Sequence, residues 1–142
     1  MLRGAIGGSG GQWLWRAEAG PNHDFLVMHG RLPIKIPAPM RAAAGEFLHR
    51  ANWNLRWGNF EMDWSDGSVE FRTTLAVAGG RTPSNRQLGH LVDTNCWAVG
   101  HYLPGLLSVA FGKATPAEAV RAAESEAPEP QHKDDRDGQL HL

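Results

Sequence analysis

Residues 46–75 read EFLHRANWNLRWGNFEMDWSDGSVEFRTTL, and a change of period inside this stretch decides the fold class. Up to Trp53 the apolar side chains recur every three or four residues, the spacing of one helix face. From Asn59 onward they recur every second residue. Phe60, Met62 and Trp64 alternate with Asn59, Glu61 and Asp63, and then Val69, Phe71, Thr73, Leu75 and Val77 alternate with Glu70, Arg72 and Thr74. A period of two puts one face of a strand in a core and the other in water. Asp66-Gly67 between the two runs predicts a hairpin, because glycine accepts the positive φ that a tight turn demands. A lone hairpin is marginal in water, so further strands or a helix must cover its apolar face.

The flanks supply both. Gln12 to Glu18 alternates weakly through Trp13 and Trp15, Gly20-Pro21-Asn22 marks a turn, and Phe25 to Ile36 is rich in β-formers. Two antiparallel strands are predicted there. Pro33 cannot donate to a ladder and predicts an edge or an irregularity. Pro37-Ala38-Pro39 opens a helix that runs to about Trp53 and aligns Met40, Ala43, Ala44, Phe47, Leu48 and Ala51 on the sheet. After Gly79-Gly80, Thr82-Pro83 predicts the start of a second helix, whose apolar row runs from Leu88 through Leu91, Val92, Cys96, Val99 and Leu103 to Leu107. Pro104 removes the hydrogen bond to the carbonyl of Gly100, so one kinked helix or two helices at an angle satisfy the pattern equally. Thr115 and Glu118 form a capping box for a last helix. This order implies an α+β fold, an antiparallel sheet of about four or more strands with helices packed against it. A single domain is expected over residues 12–125, between a flexible Gly-rich lead-in at 1–11 and a disordered charged tail at 126–142.

The chain has 142 residues, 42% hydrophobic and 20% charged, enough for one core without staples. Its formal net charge of −1 provides no global field to draw it onto nucleic acid or an anionic membrane, so neither is an expected partner. Cys96 is the only cysteine, which excludes an internal disulfide and a multi-thiolate zinc site and suits a reducing cytoplasm. Met1 to Gly11 has too short an apolar region for a secretory signal, and Cys96 to Gly112 is too short to span a bilayer. The N-terminal glycines are not followed by Gly-Lys-Ser/Thr, so they do not make a phosphate loop.

Two segments, LPIKIPAPMRAAAGEFLHRANWNLRWGNFEMDWSDGSVEFRTTL and LVDTNCWAVGHYLPGLLSVAFGKATPAEAV, carry a resemblance over Leu32 to Ala122. In order and spacing they show a proline-preceded helix ending in Arg-Ala-Asn, a Gly-Asn-Phe-Glu strand, an Asp-Gly hairpin and a Tyr-Leu-Pro helix. This arrangement resembles the YbjN family of bacterial sensory transduction regulators, whose fold is like that of the type III secretion chaperones. The resemblance implies a non-enzymatic regulatory or chaperone-like protein-binding module, with no cofactor and no catalytic residues to carry over. Family members usually have a helix and a further strand before the Gln12 strand, where this sequence has a Gly-rich stub, so an incomplete sheet edge and a homodimer are expected.

On the second helix, His90, Thr94, Trp97 and His101 are expected on one side, opposite the Leu88–Leu107 row, with Trp97 as the centre of a surface for a protein partner. Histidines also suggest a metal or small-molecule sensor, but His90 and His101 lie about 16 Å apart along a helix, too far to share one ion. Cys96 falls with the apolar row and His90 points away from it, so a Cys-His nucleophile is not expected. Glu61, Asp63 and Glu70 read as solvated residues of the hairpin's polar face, with Arg72 opposite Glu61. His49 to Trp57 interleaves bases with aromatics as single-strand binders do. The expected role of Trp53 and Trp57 is instead to plug the junction between helix and hairpin.

Overall fold

The computed structural model describes residues 1–8, 11–77, 79, 81–126 and 129. In chain order the elements are β1 (Leu2–Gly8), β2 (Gly11–Ala19), β3 (Phe25–Lys35), α1 (Arg41–Asn54) after a 3-10 turn at Ala38–Met40, β4 (Gly58–Met62), β5 (Ser68–Ala76), α2 (Asn85–Ala110) and α3 (Pro116–Glu124). The five strands form one antiparallel sheet in the order β1-β2-β3-β5-β4. All three helices contribute to one core: Phe47 and Ala51 of α1, Val99 and Leu106 of α2, and Ala119 of α3 are buried with Phe60 and Phe71 of the hairpin. Phe60 stands edge-on to Phe71 at 4.7 Å and to Tyr102 at 5.5 Å, the T-shaped geometry that aromatic quadrupoles favour.

The opening segment differs from the expected flexible lead-in. Leu2–Gly8 pairs with β2 through seven register positions, from Leu2 opposite Ala17 to Gly8 opposite Gly11. Ile6 packs against the core opposite the buried Trp13, and this burial offsets the ordering cost of the glycines. The sheet therefore does not end at β2. Pro33 sits in an internal strand, at the register irregularity between Arg31 and Lys35 that interrupts pairing with β5. The proposed tail lies almost wholly outside the described residues.

The hairpin turn is longer than a two-residue Asp-Gly loop. Asp63 N–H donates to the Ser68 carbonyl and Gly67 N–H donates to the Asp63 carbonyl, both at 2.8 Å, so four residues loop out and Trp64 leaves the strand to lie half-exposed over Gly45. Gly67 has φ +77°, as the sequence demands, and its carbonyl accepts from Ile36 N–H at 2.8 Å.

Trp53 and Trp57 do not plug the junction; they are 85% and 53% exposed. The neighbouring Asn52 does the joining. Its Nδ2 donates to the Phe60 carbonyl at 3.1 Å and its Oδ1 accepts from Phe60 N–H at 2.7 Å, so one amide pairs the backbone of edge strand β4 as a further strand would.

Helix α2 starts later than Thr82-Pro83 suggests. Ser84 is the N-cap: its hydroxyl accepts from Gln87 N–H at 3.2 Å while Gln87 Oε1 accepts from Ser84 N–H at 2.9 Å. It continues as one helix through the exposed Pro104 to Ala110. The last helix begins as predicted, with Thr115 and Glu118 in a capping box.

Candidate functional site

The helices cover only one face of the sheet. Asn95, 0% exposed on α2, reaches between two strands and donates through Nδ2 to the Phe71 carbonyl at 3.0 Å and the Met28 carbonyl at 3.3 Å. Gly30 of β3 admits this approach, since a Cβ there would run into Asn95 Oδ1. The inner face is thus closed by α2, and alternation along each strand sends the intervening residues to the opposite, uncovered face.

On that outer face the register aligns two rows. One runs Arg3, Arg16, His29, Arg72, Asn59 across β1, β2, β3, β5 and β4; the next runs Ala5, Leu14, Arg31, Glu70, Glu61. Glu70 is the hub. Its side chain is 13% exposed; Oε1 accepts from Arg16 Nη1 at 2.7 Å and from Arg31 Nε at 3.0 Å, while His29 Nδ1 stands 3.2 Å from Oε2 without hydrogen-bond alignment. Burial alone would push the Glu70 carboxyl up, but the hydrogen bonds and charges of Arg16 and Arg31 outweigh it and hold the group below the ordinary carboxylate value. His29 titrates below its ordinary value, first because it is partly buried and then because Arg16 is beside it, with Glu70 opposing. Arg72 Nη2 pairs with Glu61 Oε1 at 2.6 Å, as the cross-strand reading expects. Beside the network lies a recess of about 620 Å³ bordered by Met1, Arg3, Leu14, Trp15, Arg16 and Arg31.

Such an arrangement can bind and orient. Arginine forks and a neighbouring apolar wall recognise charged groups and extended chains. Glu70 is held ionised by two guanidinium groups, and Cys96 is pushed above its ordinary thiol value by burial and then by Asp93. Among the described residues no group of three or more His, Cys, Asp or Glu could hold a metal ion. Among them, too, no helix is long and apolar enough to cross a membrane.

The four residues singled out on α2 fall into two places. Trp97 is half-buried, stacked on His101 with ring centroids 4.7 Å apart, and edge-on to Tyr102 at 6.1 Å. His90 and Thr94 instead line a cleft of about 290 Å³ at the β5–α2 junction, where Trp57 stands edge-on to His90 at 5.0 Å. Thr94 is fully buried, while Leu88 and Val92 of the supposed inward row are exposed. The buried arc of α2 is rotated from the expected row, not reversed: Leu91, Val99, Leu103 and Leu106 are buried as expected, and the arc extends from them over Thr94, Asn95, Ala98 and Tyr102, a side that includes small and polar residues. Sequence reasoning missed Glu70, Arg16, His29 and Arg31 as one unit. Each is an ordinary polar residue on its own strand, and only the pairing of β2, β3 and β5 brings them together.

Comparison with known families adds the context. No curated protein and no solved structure matches the chain. A family model matches residues 1–95, from β1 through Asn95 of α2, and so includes both outer-face rows and the Asn95 bridge. That family is described as "Putative bacterial sensory transduction regulator", and the match covers more than half of the sequence, so this chain is a member of the YbjN family.

Proposed function

We propose that this regulator works by non-covalent protein binding, in a chaperone-like manner, with the outer face of its sheet as the docking surface. The observation that carries the reading is the Glu70 network: three strands hold Arg16, Arg31 and His29 in fixed positions on a face that none of the described helices covers. A preset polar surface with an apolar wall at Leu14 and Met1 loses little entropy on binding. The description of the family as a regulator supports a non-enzymatic role, and the lone Cys96 supports a cytoplasmic one. Strand β1 ends the sheet with seven residues, no proline and no bulge, which supports a homodimer paired along that edge.

The test is site-directed photo-crosslinking in cells. A crosslinker at Leu14 is expected to trap a partner that one at Arg50, on the helix side, does not, and Arg31→Glu is expected to remove the product. Equal trapping at both sites, or loss of trapping by Trp97→Ala but not Arg31→Glu, refutes the location. A second reading, small-molecule sensing, has one observation in its favour: the buried hydroxyl of Thr94, a residue lining the β5–α2 cleft, has no hydrogen-bond partner among the described residues. Thermal-shift screening with Thr94→Val as control tests it; identical hit sets for both proteins would end it.

A further inference from the structure

Arg3 and Arg16 are direct register partners on the outer face of β1 and β2. Like charges placed opposite each other on one sheet face are destabilising. Arg16 is drawn away toward Glu70, and Arg31 shares the same carboxylate oxygen. Arg3 is left with contacts to Met1 Sδ at 3.2 and 3.3 Å and with no carboxylate partner among the described residues. At this end of the sheet three guanidinium groups therefore stand against two acids, Glu70 and Glu18, of which Glu70 alone holds an ion pair among the described residues, whereas toward β4 the charges balance pairwise, Arg72 with Glu61 and Lys35 with Asp66.

We propose that the β1–β3 end of the outer face recognises an acidic segment of the partner protein, one whose carboxylates meet Arg3 and the exposed side of Arg31 while its apolar side chains lie against Leu14 and Met1. The inference rests on the outer face being the docking surface. Charge complementarity selects the class: the recess has an excess of fixed cations and an apolar wall. A polypeptide fits better than a nucleic acid, because Glu70 stands inside the patch and would repel a continuous phosphate backbone that needs an unbroken positive track.

The probes are two fluorescently labelled, end-blocked hexapeptides, alternating Asp/Leu and Lys/Leu, titrated into the full chain by anisotropy. The Asp/Leu peptide is expected to bind, more weakly as salt rises past the point where the Debye length falls to a few ångströms. The Lys/Leu peptide is expected to bind at least tenfold more weakly. Arg3→Gln should weaken the acidic peptide about tenfold and Arg3→Lys much less. Arg3 is exposed, so Arg3→Lys should keep the wild-type unfolding midpoint, and Arg3→Gln, which relieves the repulsion from Arg16, should keep it or raise it slightly. Equal binding of the two peptides, an unchanged affinity in Arg3→Gln, or tighter binding of oligo(dT) overturns the proposal. If the peptides fail while Leu14 crosslinking still depends on Arg31, the docking face stands and only the acidic character of its ligand is wrong; if both fail, so does the face.

Discussion

Asn95 and Thr94 are adjacent, polar and fully buried, yet the structure gives them opposite energetic signs. Asn95 Nδ2 serves two strand carbonyls, those of Phe71 and Met28, and lies 3.4 Å from Thr73 Oγ1. Replacing it with leucine, close in shape and unable to donate, removes two bonds worth about 1 kcal/mol each and strands acceptors that cost up to about 3 kcal/mol apiece when unsatisfied. Against this, the substitution relieves Asn95 Oδ1, which has no partner of its own. The expected net loss for Asn95→Leu is about 2–4 kcal/mol, a large share of the 5–15 kcal/mol typical of a domain. The Thr94 hydroxyl is also buried without a partner, so Thr94→Val removes a desolvated group that gains nothing. It should leave stability unchanged or raise it by up to about 1 kcal/mol. Urea unfolding followed by tryptophan fluorescence measures both: with a slope of about 1–3 kcal/mol per molar, Asn95→Leu should lower the midpoint by about 1–2 M. If Asn95→Leu and Thr94→Val shift it equally, or if the leucine is tolerated, the bridge between helix and sheet contributes nothing and the reasoning fails.

Other expectations follow from the same contacts. Asn52→Ala should cost about 1–3 kcal/mol in urea and raise amide exchange at Phe60, because both backbone groups of an edge strand lose their partner. Gly67→Ala should lower the midpoint by more than Gly7→Ala does, since Gly67 has φ +77° and its Cβ would run into the Ile36 carbonyl, whereas Gly7 has open space. Stability should fall with acid in two windows. His29 has a lowered folded pKa, so its contribution is complete above the ordinary 6.5 and is lost as pH falls through the lowered value; Glu70, also lowered, contributes above 4.5 and loses that contribution below it. Midpoints measured against pH should flatten in the lower window for Glu70→Gln and in the upper one for His29→Phe; parallel curves would remove the network from the stability of the fold. A homodimer along β1 predicts that light scattering reports twice the chain mass and that Ile6→Pro returns it to one; a monomer at high concentration would dismiss it.

Signals confined to a few residues were legible. The capping box at Thr115 and Glu118, the positive φ of Gly67 and the alternation of Phe60, Val69 and Phe71 each depend on chain neighbours alone, and each appears in the structure. Ser84 and Gln87 satisfied the same capping rule but were masked by Thr82-Pro83 immediately before them, a weaker form of the same signal. What the sequence hides is long-range pairing. Glu70 is 54 residues from Arg16 and 39 from Arg31, and its role appears only once β5 is known to lie beside β3 rather than at an edge. The burial of Thr94 and Asn95 runs against polarity itself, because a sheet with a glycine at residue 30 accepts a polar helix side more closely than a leucine-rich one. Trp53 and Trp57 fail for the opposite reason: large apolar residues at a junction invite burial, but the short amide of Asn52 already closes the gap.

An acidic ligand would meet the Glu70 network as a competitor. Both contend for Arg16 and Arg31, whose hydrogen bonds and charges hold the Glu70 carboxyl below its ordinary value and so favour it as an ion. Displacing Glu70 from these two guanidinium groups costs the contacts they already make, so the ligand gains less from them than from an arginine without such a contact. Arg3 has no such internal competitor, so it should account for most of the remaining attraction at any pH where the ligand keeps its charge. The face is in this sense half occupied by its own acids: Glu70 holds Arg16 and Arg31, Glu61 holds Arg72, and Arg3, which neither reaches, is the one left to choose a partner.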